Sequence, residues 1–169
     1  MEQADRAAWF VLRCSTAQMK VAAALRAKGF EVFVPMCRRR RQWSDRVKVS
    51  TVPLFSSFVF CRFHPKDRVL ALSTPGVSRE RERGGIPIEL SDAEIEHLHR
   101  VCELPYPAEE CDSLPSAGEP VRIIDHPDIR GFLSERGHVC RVLVPCTRIG
   151  RAVLLHVPLG ALEHDEGGS

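Results

Sequence analysis

The stretch Arg38–Phe63, RRRRQWSDRVKVSTVPLFSSFVFCRF, constrains the fold of this chain more than any other part of it. Between Arg38 and Lys48 there are six basic side chains and a single acid, Asp45. Such a cluster cannot be buried, and a run of like charge is most often a solvated loop. Here it leads directly into an apolar alternation that holds four of the eight phenylalanines. The sequence therefore predicts a basic hairpin loop that projects from a sheet.

The charge of the chain is strongly segregated along its length. Residues 1–102 carry 18 basic and 11 acidic side chains, which gives +7, whereas residues 103–119 carry five acids and no base. Residues 120–169 carry six of each and balance to zero. The basic field therefore belongs to the N-terminal part, which indicates nucleic acid or an acidic protein surface as its partner.

Composition excludes several classes of protein. No apolar run approaches the ~18 residues of a membrane span, and the N-terminal stretch MEQADRAAWFVLR lacks the pattern of a secretory signal. The seven cysteines form no CxxC motif, and the pair Cys140 and Cys146 has no second pair to complete a zinc site. We therefore expect buried structural thiols, no metal or cofactor, no membrane partner and a reducing, cytoplasmic location.

A strand, a helix and a second strand are predicted for the first 35 residues. The β-branched and aromatic run at 9–13 is typical of a strand. Ser15 or Thr16 is a candidate cap for an alanine-rich helix that ends before Gly29. Residues 31–35 predict the second strand, and the helix is expected to cross over and pack on the sheet.

The apolar run LFSSFVFCRF allows two interpretations. Phe58, Phe60 and Arg62 share one face of the predicted strand, and the remaining apolar residues share the other. One face could then pack on the core while the other keeps two aromatic rings available. Alternatively, the run is a central strand that is buried on both faces.

Residues 65–101 predict two more helices with a polar segment between them. The first occupies 65–77 and stops at Pro75-Gly76. The alternating charges of SRERERGG, residues 78–85, predict an exposed edge strand or a loop. The second helix has Ser91 as its cap and an apolar stripe at Ile95, Leu98 and Val101.

Residues 103–119, ELPYPAEECDSLPSAGE, predict an extended linker because three prolines and five acids cannot bury enough apolar surface to order the segment. Beyond it about five short strands, punctuated by glycines, are typical of a small SH3-like barrel. The predicted class is α+β, with an N-terminal antiparallel sheet flanked by helices and a C-terminal barrel. The predicted boundaries are 1–102 for the first domain, 103–117 for the linker and 118–166 for the barrel.

Six segments in this order resemble the NusG family of bacterial transcription elongation factors: WFVLR, KGFEVFVP, VPLFSSFVF, TPGV, SDAEIEHL and GEPVRIIDHPDIRGF. The last resembles a KOW motif, in which a glycine follows the first apolar position by ten residues, here Val121 and Gly131. The basic stretch RRRRQWSDRVKVSTVPLF is more similar to the specialised RfaH-like and UpxY-like antiterminators than to a general NusG. Ser56-Ser57 departs from the family's Pro-Gly, and SRERERGG departs from its apolar fifth strand.

The resemblance implies a monomeric, non-enzymatic factor that binds RNA polymerase at the clamp helices of the largest subunit and reduces pausing or termination. The matching polymerase-contact positions are Phe58, Phe60 and Arg13. The positions expected near upstream DNA or the polymerase rim are Arg38, Arg39, Arg40, Arg41 and Lys48. Four further positions match those with which specialised members read non-template DNA: Lys20, Arg26, Lys28 and Thr74. Plain solvation is the alternative for these four side chains.

The KOW barrel of relatives recruits a second factor, such as termination factor Rho or a small-subunit ribosomal protein. Ile129, Arg130 and Phe132 are the matching exposed candidates, with a partly packed turn as the alternative. No paired acid and base, phosphate-cradling glycine loop or cysteine–histidine cluster indicates an enzyme. A ribosome- or RNA-associated KOW protein remains the alternative function, since KOW barrels and basic arms also occur there.

Overall fold

The computed structural model of the chain describes residues 5–167. The first four residues, part of the stretch for which no secretory signal is expected, lie outside this range. The described residues form two compact units: the chain up to Pro35 with Phe55–Leu98, and Met36–Leu54 with the chain from His99 onward. Within 5–167, no helix combines the length and the apolar character needed to cross a membrane.

The chain contains three helices and fifteen strands over the described residues. The helices are α1 (Gln18–Ala27), α2 (Arg68–Leu72) and α3 (Asp92–Glu103). The strands are β1 (Ala8–Cys14), β2 (Glu31–Phe33), β3 (Met36–Gln42), β4 (Val47–Pro53), β5 (Phe58–Phe63), β6 (Val77–Glu80), β7 (Glu82–Arg83), β8 (Ile86–Pro87), β9 (Glu89–Leu90), β10 (Ala108–Cys111), β11 (Glu119–Ile123), β12 (His126–Glu135), β13 (Val139–Cys146), β14 (Arg151–Pro158) and β15 (Leu162–His164). Short 3₁₀ turns occur at Pro65–Asp67, Thr147–Ile149 and Leu159–Ala161.

The first unit is built on an antiparallel sheet in the order β2-β5-β1-β6, with β9 also paired to β1. Strand β1 is central, and its register with β5 aligns Val11 with Phe60 and Arg13 with Phe58. The apolar residues of β1 and β5 are buried together with Val21, Ala22 and Leu25 of α1, as the helix face predicts. This arrangement confirms the helix packed on a sheet of antiparallel strands.

Helix α1 begins later than its predicted caps. Ala17 is the N-cap residue and makes no side-chain capping bond, while the Ser15 hydroxyl donates to the carbonyl of Gly76 instead. The prediction of Ser15 or Thr16 as the cap is therefore wrong. The first helical residue, Gln18, is buried and donates its side-chain amide to the carbonyls of Phe55 and Phe58, the latter at 2.8 Å. These bonds hold the Ser56-Ser57 bend that leads into β5.

The turn between β7 and β8 shows why SRERERGG can be ordered despite its charges. Gly84 and Gly85 have φ values of 61° and 78°, and they form a two-residue hairpin loop between Arg83 and Ile86. Positive φ at both central residues is the requirement of a tight hairpin turn, which glycine meets without steric cost. The start of the segment pairs with β1 as β6, so the sequence forms an edge strand followed by a small hairpin.

A reciprocal capping box starts α3, as the sequence predicts. The backbone N–H of Glu94 donates to the Ser91 hydroxyl at 3.1 Å, and the N–H of Ser91 donates to the Glu94 carboxylate at 2.7 Å. Two backbone donors that the helix leaves open are thereby satisfied. Ile95, Leu98 and Val101 are buried, which confirms the apolar stripe.

Replacing Ser91 with alanine should lower the free energy of unfolding by about 1 kcal/mol, since the cap bond to the Glu94 N–H is lost. Urea denaturation followed by circular dichroism measures this change. Glu96→Ala, an exposed position of the same helix outside the capping box, is the control and should change stability by less than about 0.5 kcal/mol. Equal effects of the two substitutions would contradict a specific role of the cap.

The second unit is built on a six-stranded antiparallel sheet in the order β10-β14-β13-β12-β11-β15. Its core contains Val121, Ile123, Val142, Val144 and Leu155, all of them buried. Strand β10 lies inside the predicted linker and pairs with β14 from Ala108↔Leu155 to Cys111↔Ala152. The prediction that this whole segment cannot order itself is therefore wrong, because backbone pairing with a remote strand orders it. The predicted domain boundaries stay a prediction.

Candidate functional site

The four arginines lie in a strand of a two-stranded hairpin, β3–β4, that belongs to the second unit. Its register runs from Met36↔Pro53 to Gln42↔Val47. The loop is limited to 43–46 and is closed by the N–H of Trp43, which donates to the carbonyl of Arg46 at 2.7 Å. The prediction of a basic loop is corrected to a basic strand, because the long cationic side chains can project from an extended backbone into solvent.

The two faces of this hairpin differ. One face carries Cys37, Arg39 and Arg41 opposite Val52, Ser50 and Lys48. It is buried at Cys37 and exposed toward the tip. The other face carries Arg38, Arg40 and Gln42 opposite Thr51, Val49 and Val47, and these six are all exposed. This second face therefore places cations and apolar groups side by side in solvent.

Exposed apolar side chains are concentrated at the outer end of the hairpin. Trp43 is 54 % exposed, Val47 51 % and Val49 56 %. None of these three residues is among the site residues predicted from the sequence. The available signal was Trp43 itself, an aromatic residue in the short loop between two basic strands. An exposed aromatic beside cations is the combination that single-stranded nucleic acid binders use.

The hairpin cations have no acidic partner among the described residues. None of Arg38–Arg41, Arg46 and Lys48 takes part in an ion pair there. Arg41 and Lys48 lie directly opposite each other, and like charges in this arrangement destabilise a strand pair. By contrast, arginines of the six-stranded sheet are paired: Arg122 with Glu163, Arg136 with Glu119 and Arg151 with Glu110. The hairpin therefore carries positive charge that its own fold does not neutralise.

The base of the hairpin is held by a buried thiol. Cys37 is buried and donates its S–H to the carbonyl of Ala108 in β10, with the two atoms 3.3 Å apart. Burial raises the pKa of the Cys37 thiol, while the nearby Arg39 guanidinium acts in the opposite direction. The thiol therefore acts as a packing group and hydrogen-bond donor and anchors β3 beside β10.

The predicted polymerase-contact residues are divided between core and surface. Phe58 is 3 % exposed and Phe60 is fully buried, with ring centroids 6.3 Å and 6.0 Å from that of Phe55. The Arg81 guanidinium lies 4.8 Å from the Phe58 ring centre. The interpretation of a strand buried on both faces therefore holds for these two rings, and the open aromatic face is not present. Arg13 is exposed.

The residues expected to read non-template DNA do not form one exposed set. Lys20 is exposed. Arg26 donates to the carbonyl of Val32 at 3.1 Å, and Lys28 donates to the carbonyl of Leu70 at 2.9 Å, so both contact their own unit. Thr74 is only 2 % exposed, and its hydroxyl has no hydrogen-bond partner among the described residues. The placement of Thr74 at a DNA-reading surface is not supported, because its side chain is in the core.

The KOW-turn candidates also separate. Ile129 is buried, which favours the alternative of a packed turn at this position over an exposed contact. It alternates with exposed neighbours along β12, and its side chain points into the core. Arg130 is exposed and lies 3.6 Å from the Asp165 carboxylate. Phe132 is half-buried, opposite Leu143. Arg130 and Phe132 remain the accessible pair.

Several cysteines are packed in the interior of the two units. Cys14, Cys37, Cys61 and Cys140 are buried. Burial raises the pKa of Cys61 and of Cys146 to about 12. Within residues 5–167 no group of three or more metal-ligating side chains is suited to hold an ion.

Comparison with known proteins identifies the family. The family described as "Transcription termination factor nusG" matches residues 7–99, more than half of the 169-residue chain. No curated protein matches the chain. A solved structure described as "Domain interaction in Thermotoga maritima NusG" has a similar fold, with a TM-score of 0.56 at 20 % identity over 95 % of this chain and 98 % of that chain. The expected α+β fold is confirmed, and the chain belongs to the NusG family of transcription factors.

Proposed function

We propose that this chain is a transcription elongation and antitermination factor that binds RNA polymerase through its first unit and reduces pausing or termination. The β3–β4 hairpin contacts nucleic acid, or the polymerase rim beside it. The observation that carries the proposal is the set of six hairpin cations without an acidic partner among the described residues. Membership in the NusG family supplies the transcriptional context.

Electrostatics favour a polyanion as the partner of the hairpin. Each cation that neutralises a phosphate releases condensed counterions, so affinity arises without any sequence preference. The opposed pair Arg41 and Lys48 costs stability in the free chain, and an anion between the two side chains would remove that cost. Lys20, exposed on α1, is a further candidate for a non-template DNA contact.

Polymerase docking is proposed for the sheet of the first unit. Arg13 is the exposed candidate on its central strand, and it lies opposite Arg79 of β6. Two adjacent guanidinium groups suit an acidic docking surface such as the polymerase clamp helices, the partner that the family resemblance implies. Phe58 and Phe60 support the backbone of this strand pair from the core, and they contact polymerase directly only in a conformation that exposes the rings.

Recruitment of a second factor is proposed for the C-terminal sheet. Arg130 and Phe132 are exposed and half-buried, respectively, on β12, and an aromatic with a neighbouring arginine is a common anchor of protein interfaces. The partner class is a protein such as Rho or a small-subunit ribosomal protein. The basic hairpin favours a specialised, operon-dedicated paralogue of the RfaH-like or UpxY-like kind.

Co-purification with core RNA polymerase tests this proposal. The tagged chain should retain polymerase, and Arg13→Glu should reduce the retained amount at least tenfold because it reverses the charge at the docking surface. Lys66→Glu, an equal charge change at another exposed position of the same unit, should retain polymerase as the unchanged chain does. Retention by Arg13→Glu would overturn the docking surface. Association with ribosomal RNA in place of polymerase would favour the alternative of a ribosome- or RNA-associated KOW protein.

A further inference from the structure

A cleft of about 360 Å³ lies at the base of the hairpin, within the second unit. It is lined by Arg39, Arg40, Pro107, Ala108, Glu109, Val139 and His156. Arg39 and Arg40 belong to β3, which pairs with β4, and Ala108 and Glu109 belong to β10, which pairs with β14. The volume falls at the lower end of the range of small-molecule sites, which is enough for one planar ring system.

The cationic wall of this cleft contains a donor that the protein leaves unused. The Arg39 Nε is buried and has no hydrogen-bond partner among the described residues. Because the Nε is enclosed, the rest of the Arg39 guanidinium is the part that a ligand oxygen in the cleft can reach. Arg40 lines the same cleft and is otherwise exposed, so a second guanidinium is available at the cleft opening.

The opposite wall provides groups suited to a base and not to a phosphate. Glu109 accepts hydrogen bonds, and a carboxylate pairs with the exocyclic amino group of cytosine. His156 lies 3.8 Å from Glu109, and an imidazole is one of the side chains on which unstacked bases stack. Val139 and Pro107 add apolar contact. The cleft therefore combines cationic groups for a phosphate with groups suited to a base.

The extended chain from Arg39 to Trp43 leads from the cleft to the tip of the hairpin. Trp43 follows Arg39 by four residues, which corresponds to about 14 Å of extended chain. Arg41 and Lys48 lie between them on the same face as Arg39. A polynucleotide that enters the cleft can thus place its phosphates along the cations and a further base near the Trp43 ring. A duplex cannot do this, because its bases are already stacked and paired.

We propose that this cleft takes one amino-bearing base, cytosine in the simplest case, of a single-stranded nucleic acid whose phosphates bind the hairpin. The inference rests on the nucleic-acid contact of the proposed function and adds to it a base-binding site and a preference. Arg39 binds the adjacent phosphate through its guanidinium group, Glu109 accepts from the amino group, and His156 stacks on the ring. RNA and DNA share this chemistry.

Fluorescence anisotropy with 12-nucleotide oligo(dC), oligo(dT) and oligo(rC) tests the proposal on the full chain at 50 mM salt. Oligo(dC) should bind about tenfold tighter than oligo(dT), the effect of one good base contact. Glu109→Ala should remove this preference while leaving oligo(dT) binding within twofold. The ratio of oligo(rC) to oligo(dC) affinity then assigns the source, RNA or DNA.

Arg39→Lys separates a directed contact from charge alone. Lysine keeps the positive charge but lacks the planar fork of guanidinium donors, so binding of both DNA oligonucleotides should weaken about tenfold. Arg38→Lys, on the neighbouring position of the same strand and outside the cleft, is the matched control and should change affinity less than twofold. Thermal melting of each variant verifies that it is folded.

The outcomes distinguish this inference from the proposed function. Equal affinity for oligo(dC) and oligo(dT), or unchanged binding by Arg39→Lys, would overturn the base-binding cleft. The nucleic-acid role of the hairpin would stand if removal of its other cations still weakened binding. Absence of any single-strand binding by the unchanged chain would overturn the cleft and the nucleic-acid role of the hairpin together.

Discussion

Replacing Gly131 with alanine should destabilise the C-terminal sheet by about 3 kcal/mol, enough to remove much of the stability of a small domain. A Cβ at this position would lie 2.5 Å from the carbonyl oxygen of Leu143 and 2.9 Å from the Val142 side chain. The oxygen belongs to the backbone of the neighbouring strand, so it cannot move aside without breaking the pairing of β12 with β13. This close approach explains why glycine stands at position 131, directly opposite Val121.

Urea denaturation monitored by circular dichroism measures this loss, and amide hydrogen exchange locates it in the second unit. Gly160→Ala is the matched control within that unit, because a Cβ there meets no atom within 4 Å. It should alter the free energy of unfolding by less than about 0.5 kcal/mol. A stable Gly131→Ala variant with unchanged exchange rates in β12 and β13 would refute the close-approach explanation.

Removing three hairpin cations outside the cleft, by Arg38→Ala, Arg41→Ala and Lys48→Ala together, should weaken single-strand binding by about 30-fold. At moderate salt each phosphate contact contributes about half a decade of binding affinity. The slope of log affinity against log salt concentration should become less steep by about 2, since each contact contributes about 0.7 for a single strand. Stability should not fall, because the repulsion between Arg41 and Lys48 is removed.

The same anisotropy assay at 50 and 200 mM salt provides both quantities. A variant with three exposed cations of the first unit replaced, Arg6→Ala, Lys66→Ala and Arg83→Ala, has the same net charge and should keep the original slope. If this control loses as much affinity as the hairpin variant, the interaction reflects net charge and not the hairpin.

A further variant reverses one charge of the opposed pair. Arg41→Glu creates an opposite-charge pair with Lys48 across β3 and β4, which should stabilise the hairpin by about 0.2–1 kcal/mol. It should at the same time weaken nucleic-acid binding more than Arg41→Ala does. Higher stability together with weaker binding is the result expected when a residue contributes to function at a cost in the stability of the fold.

Local signals in the sequence identified most of the secondary structure and the family. The capping box of Ser91 and Glu94 and the alternation of β1 and β5 depend on neighbours a few residues away, and the structure contains them. The ordered motifs led to the NusG family, which the match over residues 7–99 shows. The chemistry of the hairpin, a dense basic cluster, was equally visible in the sequence.

Burial of individual side chains could not be read from the same signals. Contact roles were predicted for Phe58, Phe60, Thr74 and Ile129, with burial left open for the two rings and a packed turn left open for Ile129, and all four are in the core. Alternation along a strand shows which residues share a face, but it does not show which other elements cover that face. For β5 both faces are covered, since Phe58 and Phe60 on one face and Val59, Cys61 and Phe63 on the other are all buried.

By itself, the sequence determined most of the secondary-structure elements, the charge of the hairpin and the family. Propensity, capping, turn chemistry and motif order all act between residues that are close in sequence. Only the tertiary structure decided that Ala108–Cys111 becomes a strand, that Cys37 anchors the hairpin beside it, and that Arg39 is left with a buried unpartnered donor above a cleft. These features depend on pairing with strands that lie tens of residues away in sequence. Which edge a strand meets is set by the whole core, and no local pattern encodes it.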